Sequence, residues 1–288
     1  MSNDFLQKFI FEHLPVKGCL VRLEQSWKEV QLRAQPDIDV RAMLGQAICA
    51  AAILGSTIKF DGTVSLQIQS SGKLRFLLGQ YSNQGDLRGI ARKNPKAQEQ
   101  QKLLENPVMS INLEPAGKGT PYQGIVSMDD GSLARALEVY FAQSEQLETR
   151  FWLVANQQSC AALMLQRMPG EPTQEDDFER LVHLASTLTD HELLSTETAH
   201  LLHLLFNEDT VRLFDAERLQ FGCKCSQDRV AWVLRSLGQV EIDSLLEERG
   251  LVEVNCEYCG KSYQFDSVDI GSLFADPTVR LDSPSGVH

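Results

Sequence analysis

Four cysteines near the carboxy-terminal end, Cys223 and Cys225 in FGCKCS and Cys256 and Cys259 in VNCEYCGKSY, constrain this chain more than any other feature. Thiolates spaced as CxC and CxxC suit tetrahedral zinc, and the set predicts one Zn2+ per chain. CxxC is a common knuckle spacing, whereas CxC demands a bent backbone if both sulfurs are to meet one ion. A closed set of four sulfurs leaves no position for water or substrate, which makes the site structural and excludes zinc hydrolysis. Structural zinc in a small unit contributes roughly 10 to 16 kcal/mol of apparent binding energy, as much as the whole stability of an ordinary domain. Loss of the metal should therefore unfold the unit. The same thiolates are also the groups an oxidant attacks.

The chain of 288 residues is 43% hydrophobic and 23% charged, ordinary globular material with length for one large core and a smaller unit. A formal charge of −12 repels phosphate backbones, and no local basic face offsets it, so no nucleic-acid partner is expected. The start, MSNDFLQKFIFEHLPVKG, lacks the basic, apolar and small-residue series of a signal peptide, which points to the cytoplasm. AICAAAILGSTI, around residues 47 to 58, is short of the roughly 20 residues that span a bilayer and reads as a buried helix, with no membrane partner. Seven cysteines, an odd number, argue against a fully paired secreted framework.

The fold expected is α+β. An N-terminal sheet-and-helix core domain takes residues 1–168, an acidic helical linker 169–220, and a small four-cysteine zinc-binding domain with its tail 221–288. In the first part, Asp37 or Asp39 caps a helix through Val40, Met43, Leu44, Ala47 and Ile48 to Leu54. TVSLQIQSSGKLRFLLG alternates about Ser70-Ser71-Gly72 as a β-hairpin. VMSINLEP and PYQGIVSM are further strands, Ser132 opens a helix, and RFWLVAN with AALMLQRM forms a closing pair. The prolines of Met168-Pro169-Gly170-Glu171-Pro172 mark a boundary. Beyond it acids crowd the sequence to Gln220 against only Arg180, Arg212 and Arg218, while Phe178, Leu181, Val182, Ala185 and Leu188 keep helical spacing. Mutual repulsion with a modest apolar stripe implies helices that can detach while the core survives, or a permanently docked helical layer. In the last part Ser226 caps one helix, Asp243 starts a second that ends at Gly250, and LVEVNC and SYQF flank the second cysteine pair as strands. The residues from Ala275 on read as a frayed tail.

No nucleophile with a neighbouring base, phosphate-cradling glycine loop or catalytic carboxylate pair stands out, so the chain is not read as an enzyme. Cys19, Cys49 and Cys160 read as small apolar residues. His183, His191, His200 and His203 lack a third ligand and read as solvated or interface groups.

FDGTVSLQIQ, GDLRGIAR, PYQGIV, LEVYFAQSEQLETRFWL, LMLQRMP, QEDDF, FGCKCSQDR and VNCEYCGKSYQF, in this order, resemble the bacterial 33 kDa chaperonin family, redox-regulated heat-shock chaperones, over nearly the whole chain. The resemblance implies a holdase that works without ATP. In its reduced, inactive, monomeric form Cys223, Cys225, Cys256 and Cys259 hold zinc. Oxidation pairs Cys223 with Cys225 and Cys256 with Cys259, frees the metal, unfolds the linker, yields dimers and exposes surface that holds unfolding proteins. A Cys223–Cys225 disulfide closes a very small ring, which favours easy reduction. Two departures are Glu148, where the family has proline, and Ser159-Cys160-Ala161-Ala162, where it is glycine-rich. Two other functions fit a four-cysteine unit. A thiol-disulfide oxidoreductase would use Cys256 and Cys259 at a helix start, and a zinc-ribbon module would bind protein or nucleic acid.

Overall fold

The computed structural model describes residues 4–57, 61–117, 119–169 and 175–275, without the side chains of 175 and 176. Gly170, Glu171 and Pro172 of the expected boundary, and the expected tail past Ala275, lie outside them. The chain forms two compact units that divide between Gly222 and Cys223.

The first unit is built on two six-stranded sheets. Its elements run β1 (Phe5–Phe11), β2 (Val16–Leu23), α1 (Gln25–Ala34), α2 (Ile38–Thr57), β3 (Gly62–Gln69), β4 (Leu74–Ser82), β5 (Asp86–Lys93), β6 (Val108–Pro115) and β7 (Tyr122–Ser127). Then come α3 (Leu133–Tyr140) with a π-helical turn Phe141–Glu145, β8 (Thr149–Ala155), β9 (Cys160–Arg167), α4 (Glu175–Ala185), α5 (Asp190–Ser195), α6 (Thr198–Leu205), β10 (Val211–Leu213), β11 (Glu217–Arg218) and β12 (Gln220–Phe221). One sheet has the order β10-β1-β2-β9-β8, with β11 also on β1; the other has β12-β5-β4-β3-β6-β7. The mixed helix-and-sheet class expected from sequence is the one observed.

Helix α2 lies between the sheets and supplies their common core. Leu44, Ala47, Ile48, Cys49, Ala50, Ala51, Ile53 and Leu54 are all buried against Val64, Leu66, Ile68 and Leu77 on one side and Val21, Leu23, Ala162 and Met164 on the other. Small residues let the backbones approach: a Cβ on Gly79 of β4 would come within 2.6 Å of the Ala47 carbonyl carbon. Burial on all sides explains why this stretch has no polar face. The helix is 20 residues long, more than the sequence suggested and enough to cross a membrane by length and composition, but it is spent on the core.

The five-strand run about β1, β2 and β9 is buried on both faces. Cys19, Val21, Leu23, Cys160, Ala162 and Met164 point to α2, while Phe9, Phe11, Val16, Leu20, Ala161, Leu163 and Leu165 form a second core with α4, α5 and α6. Phe178, Leu181, Ala185, Leu193, Leu201, Leu202 and Phe206 cover that second face, with the Phe206 and Phe11 rings edge to face at 5.1 Å. Polar clasps add to it. The buried Arg22 guanidinium donates from Nε (3.2 Å) and Nη2 (2.8 Å) to the Leu193 carbonyl oxygen, Arg167 lies 5.3 Å from the Phe178 ring centroid, and Arg180 reaches Asp209 at 2.6 and 3.0 Å. The acidic segment thus contributes a docked layer.

The segment is also not helical throughout. After α6 it turns extended: β10 and β11 pair antiparallel with β1, and β12 runs parallel to β5. These strands are two or three residues long, too short to show alternation. Gln220 donates through Nε2 to Asp86 at 2.9 Å, Arg33 lies over the Phe221 ring at 5.0 Å, and Gly222 N–H donates to Leu87 O at 2.9 Å. The bond from Gly222 lies one residue before the first thiol.

The second unit comprises α7 (Gln227–Leu237), α8 (Gln239–Arg249), β13 (Val252–Asn255), β14 (Ser262–Phe265) and α9 (Ser267–Ala275). Ser226 caps α7, as expected, by accepting from Arg229 N–H at 3.2 Å. The second helix starts at Gln239 instead of Asp243, because Gly238, at φ 94°, ends α7 and opens α8 without a spacer. The core is small: Val230, Leu234, Ile242, Val252, Tyr263, Phe265 and Ile270.

Candidate metal centre

Two local structures bring the sulfurs together. Cys223 and Cys225 precede the Ser226 cap, so the chain enters α7 directly from the CxC pair. Cys256 and Cys259 occupy the turn of the β13–β14 hairpin, where Val252 to Asn255 pair with Phe265 to Ser262. Cys256 N–H donates to Lys261 O at 2.9 Å and Gly260 N–H to Cys256 O at 2.7 Å. Gly260 has φ 69°, a left-handed conformation that glycine adopts without cost, and it folds the turn back so both sulfurs project to one side.

All four Sγ atoms lie within 4.8 Å of one another. Across the half-sites, Cys223 to Cys256 measures 3.6 Å and Cys225 to Cys259 measures 3.3 Å. Sulfurs held tetrahedrally at zinc–thiolate bond length stand about 3.8 Å apart, so the donor set and its spacing fit the metal. The thiols are half-buried, within reach of small solutes. Among the described residues this is the group placed for a metal ion, and His183, His191, His200 and His203 are not part of it.

The thiols are electrostatically unequal. Burial pushes Cys223 up to about 12 and also raises Cys259. At Cys225 burial acts in the same direction, but hydrogen bonds from Tyr263 and from the neighbouring thiols outweigh it and hold the group down at about 7. The Tyr263 hydroxyl donates to Cys225 Sγ at 3.1 Å, a contact across 38 positions of sequence. Sequence reasoning passed over Tyr263; its place four residues past Cys259 on an alternating strand was the available signal.

The remaining three cysteines sit in the first core. Cys49 and Cys160 are both fully buried with sulfurs 3.5 Å apart, and burial pushes Cys160 well up. Cys19 is likewise buried, pushed up to about 12, with Ser56 Oγ at 3.7 Å. Thiols so withdrawn are inert. In chelator-treated native protein, a thiol reagent is expected to titrate four groups within minutes and all seven only in denaturant. Rapid reaction at Cys160 in the native state would contradict this assignment.

A hairpin turn is the wrong setting for an exchanging CxxC, which needs a helix N-terminus to stabilise its thiolate. What this structure defines is a two-sheet α+β unit with a docked acidic layer, followed by a small unit with four cysteines positioned for metal binding. The family model for Hsp33 protein matches residues 4–266. The 33 kDa chaperonin of Nitrosococcus oceani is 41% identical over 277 residues, covering 96% of each chain. That of Shewanella sediminis is 38% identical over 279 residues, 96% of this chain and 97% of the relative. A crystal structure of the 33 kDa chaperonin, a heat shock protein 33 homologue, of Thermotoga maritima superposes with a TM-score of 0.80 at 21% identity, over 94% of this chain and 97% of that one. The chain belongs to the Hsp33 family of chaperones.

Proposed function

We propose that this chaperone is a redox-regulated holdase, switched by its four thiols and independent of ATP. The observation that carries the reading is the convergence of Cys223, Cys225, Cys256 and Cys259, half-buried, in a unit with a small core of its own. When bound, zinc would hold the four sulfurs as thiolates and tie the CxC and CxxC turns together. Oxidation that pairs Cys223 with Cys225 and Cys256 with Cys259 removes those donors in pairs, and each short loop restrains the unfolded chain too little to replace the lost cross-link.

Unfolding from Cys223 then reaches the first unit through the backbone. Gly222 and β12 hold to β5 by few contacts, and behind them lie β11, β10 and the acidic helices. Release of that layer bares Phe9, Phe11, Leu20, Leu163 and Leu165, the kind of contiguous apolar surface that binds unfolding proteins and a second copy of the chain. The clients are unfolded or partly unfolded proteins of the cytoplasm. The reduced form is a monomer and the oxidised form a dimer.

The test is suppression of aggregation of a heat-unfolded enzyme by the same preparation before and after hypochlorite. Reduced, zinc-loaded protein is expected to have little effect, and oxidised protein to suppress light scattering near one chain per client while releasing about one zinc per chain. Equal suppression in both states defeats the switch.

A further inference from the structure

The phenol of Tyr263 is held for a purpose that packing alone does not require. Its ring belongs to the small core of the second unit, together with Phe265 and Ile270, and is nearly excluded from solvent. Lys261 Nζ lies 5.0 Å from the ring centroid, so a cation from the turn just before the strand faces the ring. Val254 stands directly across the hairpin in register. With the ring fixed in this way, the hydroxyl leaves the CxxC hairpin and reaches the other half-site, donating to Cys225 Sγ at 3.1 Å. One side chain thus joins the two cysteine pairs by a bond that involves no metal.

We infer that Tyr263 is a positioning residue that orients Cys225 toward the shared point of the four sulfurs and sets how readily that thiolate reacts with an oxidant. A hydroxyl donating to a thiolate takes up part of the sulfur's negative charge, which stabilises the anion as a ligand and lowers its nucleophilicity. It also occupies one approach to the sulfur. The oxidant considered is a peroxide. Attack of the Cys225 sulfur on the O–O bond gives a sulfenic acid, with the leaving oxygen departing as water once protonated. Condensation with a second thiol forms the S–S bond and expels the sulfenic oxygen as another water. Two thiols lose two electrons and two protons, and one peroxide becomes two waters. Tyr263 acts on the first of these steps, and through it on the oxidant level at which the chaperone responds. The inference rests on the reading of the four sulfurs as metal-holding thiols.

The experiment compares the full-length wild type with Tyr263→Phe, which keeps the ring and removes only the donor, and with Val254→Ala, which loosens the same core and keeps the donor. Zinc affinity is measured by competition with a chelator, and the loss of each thiol under peroxide is followed by differential alkylation and mass spectrometry in reduced protein kept folded by saturating zinc. Tyr263→Phe is expected to weaken zinc binding about tenfold or more and to speed oxidation of Cys225 severalfold relative to Cys256, while Val254→Ala leaves that ratio unchanged. Should Tyr263→Phe fail to fold, site-specific 3-fluorotyrosine at 263, a stronger donor of nearly the same shape, is expected to slow Cys225 relative to Cys256. An unchanged ratio in the folded Phe variant or in the fluorotyrosine protein, or the same change in Val254→Ala, overturns the inference. A wild type that binds no zinc overturns the parent reading instead.

Discussion

Removal of zinc from reduced protein by a chelator is expected to unfold the chain from Cys223 onward and to leave the core about α2, between the two sheets of the first unit, folded. The second unit, Cys223–His288, is below the size at which a hydrophobic core usually suffices. Its packing confirms the shortage: Ile242 is the sole buried residue of α8, and Val240 on the same helix is 86% exposed. The hairpin has four residues in each strand. Against so small a core, a metal contribution of about 10 to 16 kcal/mol decides whether the unit folds. Trypsin reports the outcome. Arg235 is engaged in the folded unit, donating from Nε to Leu273 O at 2.6 Å, and cleavage there should appear once α7 and α9 separate. Cys256→Ser should give the same digestion pattern with zinc present, since three sulfurs leave the CxxC turn holding by one ligand. Resistance of the metal-free chain to cleavage at Arg235 would mean that the small core is self-sufficient, and the switch would lose its physical basis.

The parts of this architecture that sequence revealed are those where one local rule decides. The apolar run of α2, the Ser132 and Ser226 caps, the β3–β4 hairpin and the four cysteines all carry their signal within a few residues. The β1–β2 hairpin gave no such signal. β2 is buried along nearly all its length because α2 covers one face and α4 to α6 the other, and burial on both faces erases the alternation that marks a strand. The same cause makes β9 a continuous apolar run. Read as a demand for cover on two sides, that run would have pointed to a docked helical layer. Strands β10 to β12 are set by partners some 130 to 210 positions away, as with Gln220 on Asp86 and Lys8 on Glu217, and no local window contains them. Val240 shows the opposite difficulty: an apolar residue at an exposed position hid the true start of α8. At the candidate metal centre the four cysteines were plain from spacing, but the Tyr263 bond to Cys225 depends on the tertiary fold.

Phe178→Ala is expected to turn the reduced, zinc-loaded protein into a partly active chaperone. Phe178 is fully buried where α4 meets the sheet, beside Leu181 and Ala185 and beneath the Arg167 guanidinium. Truncating such a ring costs about 3 to 5 kcal/mol. The cost falls on the docking of the acidic layer, since the core around α2 is a separate cluster that the ring does not enter. A layer that repels itself electrostatically and is clasped by Arg22, Arg167 and Arg180 has little reserve, so a loss of this size should open it locally well before the unit melts. Three readouts distinguish local opening from general weakening: dye binding to exposed apolar surface, tryptic cleavage at Arg180, and aggregation suppression without oxidant. Leu66→Ala, in the core between the sheets, costs about 2 to 5 kcal/mol without touching the layer and should lower the melting temperature with none of the three signals. If Phe178→Ala behaves like Leu66→Ala, the acidic helices melt together with the sheet beneath them, and the client surface must be sought elsewhere. If it opens alone and holds clients while zinc stays bound, the four thiols act as the lock on a layer already poised to leave.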